Sequence, residues 1–217
     1  MSHNACYAMP IEYLDIVVVE DSKPMQMILR TMLSALQARR IRVFDNGPAA
    51  LKAMVLEPPT LVITDLRMPG MSGLSLLRAM RSPKMDPLCF VPVIVVTAHA
   101  TQGVVEEAMN SGAHLLLVKP VSPTAMVERI NWIISDTRHF VIGSDGGYVI
   151  SGVTEKLAAR RNRARAMHLT AASEARDKVQ DRGVDRILTL RDGTGGDRRP
   201  LPAPTRSKRI SKPEPAA

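Results

Sequence analysis

The chain has 217 residues, 29 Lys and Arg against 21 Asp and Glu, and two cysteines. That length fits one full domain and a second only if it is small. Cys6 and Cys89 are too few for a disulfide-knit scaffold and show no metal-ligand spacing, and no apolar run reaches the roughly 20 residues that cross a bilayer. Residues 1–10 lack the basic start and apolar stretch of a secretory leader, so a reducing, cytoplasmic setting is expected. The net charge of +8 is uneven: residues 136–217 carry 17 of the 29 basic residues and 10 of the 21 acidic ones. The basic character therefore belongs to the tail.

Residues 16–19 are β-branched and apolar, as in a strand covered on both faces. Pro24 suits the first turn of a helix in which Met25, Ile28, Leu29, Met32, Leu33 and Leu36 recur at helical spacing. Residues 41–44 read as a second strand, and Asn46-Gly47-Pro48 turns into a helix over 49–56 that Pro58-Pro59 stops. A third strand spans 61–64, followed by a loop at 68–72 and a helix over 73–81 with Leu74, Leu77 and Met80 inward. Residues 82–92 hold three prolines and read as a loop; 93–96 is the fourth strand. A helix over 99–111 ends at Gly112, a position that tolerates a left-handed backbone. Residues 115–118 form the fifth strand and 123–135 the last helix. Five strand–helix pairs imply an α/β fold of the (βα)5 type, a doubly wound parallel five-stranded sheet with helices on both faces.

Beyond Asp136 the character changes. Residues 143–147 read as a turn or linker. Residues 154–168 are helix-prone, with Thr154 as a cap and Arg160, Arg161, Arg163 and Arg165 in the middle; 171–179 extends the tendency, and the apolar members are mostly alanine. From about 191, Gly, Pro, Arg and Ser dominate and aromatics are absent, a disorder signature.

Four chemically informative pieces each follow an apolar run: Glu20-Asp21, Asp65, Thr97 and Lys119. In an open α/β sheet, ligands bind at the carboxyl ends of the strands, where all four would lie. Magnesium takes oxygen ligands, and three clustered carboxylates suit it. Asp65 is the candidate nucleophile: attack by a carboxylate on phosphorus gives an acyl phosphate. Lys119 would offset charge on the transferring group, and Thr97 can donate to a phosphoryl oxygen. Pro120 restricts Lys119 to an extended backbone. Each residue alone has a plainer reading, as a helix cap, a capping acid pair or a solvated lysine; their joint spacing favours the site. His3, His114, His139 and His168 have no partner at ligand spacing and read as surface residues. Met25, Met27, Met32, Met54, Met80 and Met109 read as core or helix surface.

The segments Val19-Glu20-Asp21-Ser22, Thr64-Asp65-Leu66-Arg67-Met68-Pro69-Gly70-Met71-Ser72-Gly73, Val95-Val96-Thr97-Ala98 and Leu117-Val118-Lys119-Pro120 occur in this order and spacing. With them, residues 13–136 resemble the flavodoxin-like receiver domain of two-component response regulators, of the chemotaxis-regulator kind. The resemblance implies that Asp65 accepts phosphate from a histidine kinase or histidine phosphotransfer protein. It implies that Glu20, Asp21, Asp65 and the Arg67 main-chain carbonyl surround Mg²⁺, with Thr97 the switch hydroxyl and Lys119 the phosphate-contacting lysine. Such a domain promotes its own phosphorylation and dephosphorylation and is not a turnover enzyme. One position departs from the family pattern: three residues before the lysine, where Tyr or Phe is usual, stands Leu116. A ring that swings inward with Thr97 is therefore not available. Arg67 and His99 flank the entrance, at positions that in this family tune phosphoryl lifetime.

The organisation expected is a receiver domain over 13–136 and a basic extension over 137–217 with no recognisable output domain, so that output passes to a downstream protein. Two rivals stand beside this reading. One is a nucleic-acid-binding regulator acting through the basic tail, which shows no helix-turn-helix pattern and nearly lacks base-stacking aromatics. The other is a non-switching scaffold of the receiver fold, suggested by Leu116.

Overall fold

The computed structural model of the protein describes residues 3–164, 166 and 167. Five strands, β1 (Asp15–Val19), β2 (Arg40–Phe44), β3 (Leu61–Asp65), β4 (Val93–Thr97) and β5 (Leu115–Val118), form one parallel sheet in the order β2-β1-β3-β4-β5. Helices α1 (Lys23–Ser34), α2 (Gly47–Leu56), α3 (Gly73–Met80), α4 (Gln102–Asn110) and α5 (Pro123–Ile134) connect or follow them. This is the doubly wound (βα)5 sheet that the strand–helix alternation predicts.

Side chains alternate between the sheet's two faces and so sort the core into two layers. Val17, Val19, Val62, Val93 and Val95 pack with Ala50 and Met54 of α2, Leu76, Leu77 and Met80 of α3 and Ala108 of α4. Ile16, Val18, Leu61, Ile63, Ile94 and Val96 pack on the other face with Leu29 and Leu33 of α1 and Met126, Ile130 and Ile133 of α5. Full burial of each large aliphatic is worth about 1.5–3 kcal/mol. Register then aligns the strand ends: Val19 pairs with Thr64, Asp65 with Val96 and Thr97 with Val118. Glu20, Asp65, Thr97 and Lys119 therefore come to one edge.

Side-chain oxygens cap four helices. Asn46 accepts from Ala49 N–H, Ser72 from Ser75, Thr101 from Val104 and Ser122 from Ala125. The Thr101 cap corrects the expected start of α4 at residue 99. The helix begins at Gln102, because the His99 main chain is engaged by the Thr97 hydroxyl instead.

Beyond α5 the chain forms an antiparallel hairpin, β6 (Phe140–Ile142) and β7 (Tyr148–Ile150), with residues 143–147 as its tip. Phe140, Ile150 and Val153 pack with Phe90, Met109, Tyr148 and Leu157 in a third cluster. Residues 153–164 are helical, and the compact unit runs to Arg163. Arg165, His168, the 171–179 segment and the stretch from 191 onward lie outside the described residues.

Beneath the hairpin, Arg81 is buried and has no carboxylate partner among the described residues. Its guanidinium donates to the Gly112 carbonyl at 3.0 and 2.8 Å and to those of Cys89 and Val91, each at 2.9 Å, and lies 4.9 Å from the Phe140 ring centre. Burial pushes its pKa down to about 9. The Arg81 carbonyl in turn accepts Tyr148 N–H at 2.8 Å. His114 corrects the surface reading: it is 1% exposed, edge-on to Phe140 at 5.4 Å, and its Nδ1 has no hydrogen-bond partner among the described residues. Burial, together with the charges of Arg81 and Arg138, holds it well below the ordinary histidine range.

Candidate functional site

The site sits at the carboxyl ends of β1, β3, β4 and β5. Glu20 follows β1, and its N–H still reaches across to Phe44 O at 3.0 Å, so the acid is fixed as an extension of the strand. Its carboxylate is 1% exposed, accepts Ser22 N–H at 3.3 Å and meets Lys119 Nζ at 2.7 Å. Asp21 beside it is exposed, and among the described residues its carboxylate has no hydrogen-bond partner. The Glu20 carbonyl accepts the Gln26 side-chain amide at 2.6 Å. Nothing in the sequence marks Gln26: it is one polar residue on an amphipathic helix, and its partner is a main-chain atom.

Asp65 closes β3 and is 7% exposed. One carboxylate oxygen accepts Lys119 Nζ at 2.5 Å and the other accepts Arg67 N–H at 2.6 Å. Arg67 thus joins the site through its main chain, while its side chain, like that of His99, lies on the exposed rim. Gly73 makes this geometry possible. A β carbon there would stand 2.1 Å from the Asp65 carbonyl oxygen and 3.1 Å from Thr64 Oγ1.

Thr97 ends β4 and is buried. Its hydroxyl donates to the His99 carbonyl at 3.3 Å and accepts His99 N–H at 3.2 Å, so its bonds lie along its own chain. Lys119 follows β5, is tied to Thr97 O through its N–H at 2.8 Å and precedes Pro120 in a cis peptide. Leu116 pairs with Val95 and is a half-buried aliphatic packed against the α2–α3–α4 layer.

Ligand oxygens of Glu20, Asp21 and Asp65 lie within 4.8 Å of one another. Burial pushes the Glu20 carboxyl above its ordinary range; the hydrogen bond and charge of Lys119 oppose this, and the charge of Asp65 adds to it. For Lys119 burial acts downward, but hydrogen bonds and charge from Asp65 and Glu20 outweigh it and raise its pKa. Three carboxylates facing one ammonium leave an anionic hollow with hard oxygen donors. One donor is free and solvent-facing, which fits a small divalent cation such as Mg²⁺.

The model of the response regulator receiver domain matches residues 16–131, more than half of the chain. The chain therefore belongs to the response regulator receiver domain family, the receiver class of two-component signalling. Receiver domains bind Mg²⁺ at an acidic pocket and are phosphorylated by histidine kinases or phosphotransfer proteins. Among relatives, the chemotaxis protein CheY of Pseudomonas aeruginosa is 32% identical over 120 residues, covering 55% of this chain and 95% of that protein. The sensory/regulatory protein RpfC of Xanthomonas campestris is 27% identical over 157 residues, 69% of this chain but 22% of that one. Among solved structures, the receiver domain of the sensor histidine kinase PA1611 from Pseudomonas aeruginosa carries a magnesium ion coordinated in its active-site cleft. It is 29% identical with a TM-score of 0.50, covering 56% of this chain and 98% of that one. CheY4 of Vibrio cholerae, at 22% identity and a TM-score of 0.52 over 56% of this chain and 98% of that one, shares the fold. No helix among the described residues is long and apolar enough to cross a membrane.

Proposed function

We propose that this protein is a phosphorelay switch in which Asp65 accepts a phosphoryl group from a phosphohistidine on a histidine kinase or phosphotransfer protein. The observation that carries the reading is the meeting of Glu20, Asp21, Asp65 and Lys119 in one hollow, with the Asp65 carboxylate bound by Lys119 Nζ and Arg67 N–H. An Asp65 oxygen forms the new O–P bond as the P–N bond to the donor histidine breaks, and the imidazole leaves with its electron pair and takes up a proton. A magnesium ion held by Glu20, Asp21, Asp65 and the Arg67 carbonyl would supply positive charge to the phosphoryl oxygens. Lys119 leaves its ion pair with Asp65 to follow the transferred group. Thr97 donates its hydroxyl to a phosphoryl oxygen only by giving up its bonds to His99. The chain acts on itself in a cytoplasmic setting and turns over no outside substrate. The receiver unit is read as residues 13–136, with a basic stretch of sequence after it, and a protein partner is proposed to receive the signal.

Leu116 favours a second reading, a receiver-fold scaffold that takes phosphate without switching, because no ring follows Thr97 inward. Incubating wild type and Asp65→Asn with Mg²⁺ and acetyl phosphate tests the first reading by intact mass. One acid-stable, base-labile phosphoryl adduct is expected on the wild type alone; equal labelling of Asp65→Asn refutes the assignment. Equal capture of a partner by phosphorylated and unphosphorylated protein would then select the scaffold.

A further inference from the structure

Two adjacent side chains of an extended strand point to opposite faces. Glu20 and Asp21 are adjacent, yet their carboxylate oxygens lie within the same 4.8 Å cluster as Asp65. The backbone between β1 and α1 must therefore be held in a turn that splays both acids toward one point. Glu20's side chain has its own anchors in Lys119 and Ser22 N–H. Asp21 has none, so its aim is inherited from the main chain on either side.

The Glu20 carboxylate accepts Ser22 N–H at 3.3 Å and Gln26 N–H bonds Ser22 O at 2.9 Å, but neither bond holds the Glu20 carbonyl. Ser22 is the N-cap of α1 but makes no side-chain capping bond, and Pro24 has no N–H to offer. Upstream, the strand's grip ends with Glu20 N–H on Phe44 O. From the helix side, the Gln26 amide reaches back six residues to the Glu20 carbonyl at 2.6 Å. The other end of that amide accepts Lys23 Nζ at 3.5 Å, and Lys23 stands 3.6 Å from Asp45 at the end of β2. The Lys23–Asp45 pair is exposed and contributes little by itself. Among the described residues, the half-buried Gln26 side chain is the only one that bonds the Glu20 carbonyl.

We propose that Gln26 is a positioning residue: by fixing the Glu20 carbonyl it sets the turn that aims the Glu20 and Asp21 carboxylates at one divalent cation. The inference rests on the reading of Glu20, Asp21 and Asp65 as a cation site. The ordinary alternative is that Gln26 only steadies the first turn of α1, which would change stability and leave cation affinity alone.

Calorimetric titration of the full chain with MgCl₂ at pH 8, beside thermal unfolding without metal, separates the two. Gln26→Met keeps length and loses the donor, Gln26→Asn keeps the amide and loses reach, and Gln26→His presents a neutral N–H at the same reach. Gln26→Met and Gln26→Asn are expected to bind Mg²⁺ about tenfold more weakly, the scale typical of outer residues that orient metal ligands, with unfolding midpoints close to wild type. Gln26→His is expected to recover most of that affinity. Wild-type affinity in both Gln26→Met and Gln26→Asn overturns the proposal, as does a loss that Gln26→His fails to repair. Absence of Mg²⁺ binding by the wild type would instead overturn the cation site itself.

Discussion

Acidification should loosen the hairpin end of this protein through a single side chain, His114. The ring is 1% exposed, its Nδ1 has no partner among the described residues, Phe140 lies edge-on to it, and the facing charges, Arg81 from the end of α3 and Arg138 from the approach to β6, are both positive. A proton added there would be buried, unsolvated and repelled. The folded-state pKa therefore lies below the ordinary value near 6.5, so below that pH the unfolded chain binds the proton first and stability falls. The loss begins at about pH 6.5 and grows by up to about 1.36 kcal/mol per pH unit until the folded state itself takes the proton. Between pH 7.5 and 5.0 that amounts to about 2 kcal/mol. Glu20 works in the opposite sense: its raised carboxyl binds a proton in the folded state first, so its contribution rises as pH falls. The measurement must therefore be a difference. Urea unfolding of wild type and His114→Leu at pH 7.5, 6.5, 5.5 and 5.0 isolates the histidine, since a constant packing penalty in the variant cancels across pH. The wild-type stability should drop by about 2 kcal/mol relative to His114→Leu over this range. Parallel pH profiles for the two proteins would refute the reasoning.

Gly73→Ala places a β carbon against main chain rather than a movable side chain, so the end of β3 has to shift; a loss of about 3 kcal/mol in urea unfolding and weaker Mg²⁺ binding are expected, and a variant with wild-type values for both would refute this. Lys119→Met leaves Glu20, Asp21 and Asp65 facing one another without an ammonium. It should cost about 3 kcal/mol in metal-free buffer, with millimolar Mg²⁺ restoring part of it; equal unfolding curves with and without metal would count against the anionic hollow.

The inner strands β1, β3 and β4 were legible because they are buried on both faces and read as apolar runs that lead into Glu20, Asp65 and Thr97, as the half-buried β5 leads into Lys119; β2, with Arg40 and Arg42 in it, gave the weakest signal. Periodicity found part of the inward faces of α1 and α3: Leu29, Leu33, Leu77 and Met80 are buried, whereas Ile28 is exposed and the buried Leu76 was missed. What escaped depended on partners far along the chain. His114 and Arg81 carry polar side chains that sequence assigns to solvent, and only the docking of Phe140 and Tyr148 makes them interior. The hairpin itself left a weak trace: two three-residue runs, Phe140-Val141-Ile142 and Tyr148-Val149-Ile150, flank a Ser144-Asp145-Gly146-Gly147 turn, a pattern for paired strands that short length obscures. Gln26 was illegible for another reason, because the atom it holds is a backbone carbonyl that every residue possesses.

These late-arriving contacts bear on the helix next to the site. At its amino end α4 is preceded by the Thr101 cap and, two residues before that, by His99, whose main chain is held by the Thr97 hydroxyl. At its carboxyl end, Met109 packs in the hairpin cluster and Gly112 O takes two bonds from the buried Arg81. The carboxyl-end anchor combines the partly buried Met109 in an apolar cluster with two bonds from a buried guanidinium; the amino-end anchor is a pair of hydrogen bonds at 3.2 and 3.3 Å beside exposed residues. A hydrogen bond of that kind contributes about 1 kcal/mol net, against about 3 kcal/mol or more for truncating a buried aromatic such as Phe140. If, as proposed, phosphorylation of Asp65 draws the Thr97 hydroxyl toward it, the weaker anchor is expected to yield first. Hydrogen exchange of the phosphorylated and unphosphorylated chain should then differ in residues 98–101 and not at the end of α4 that touches the hairpin; an equal change at both ends would refute this.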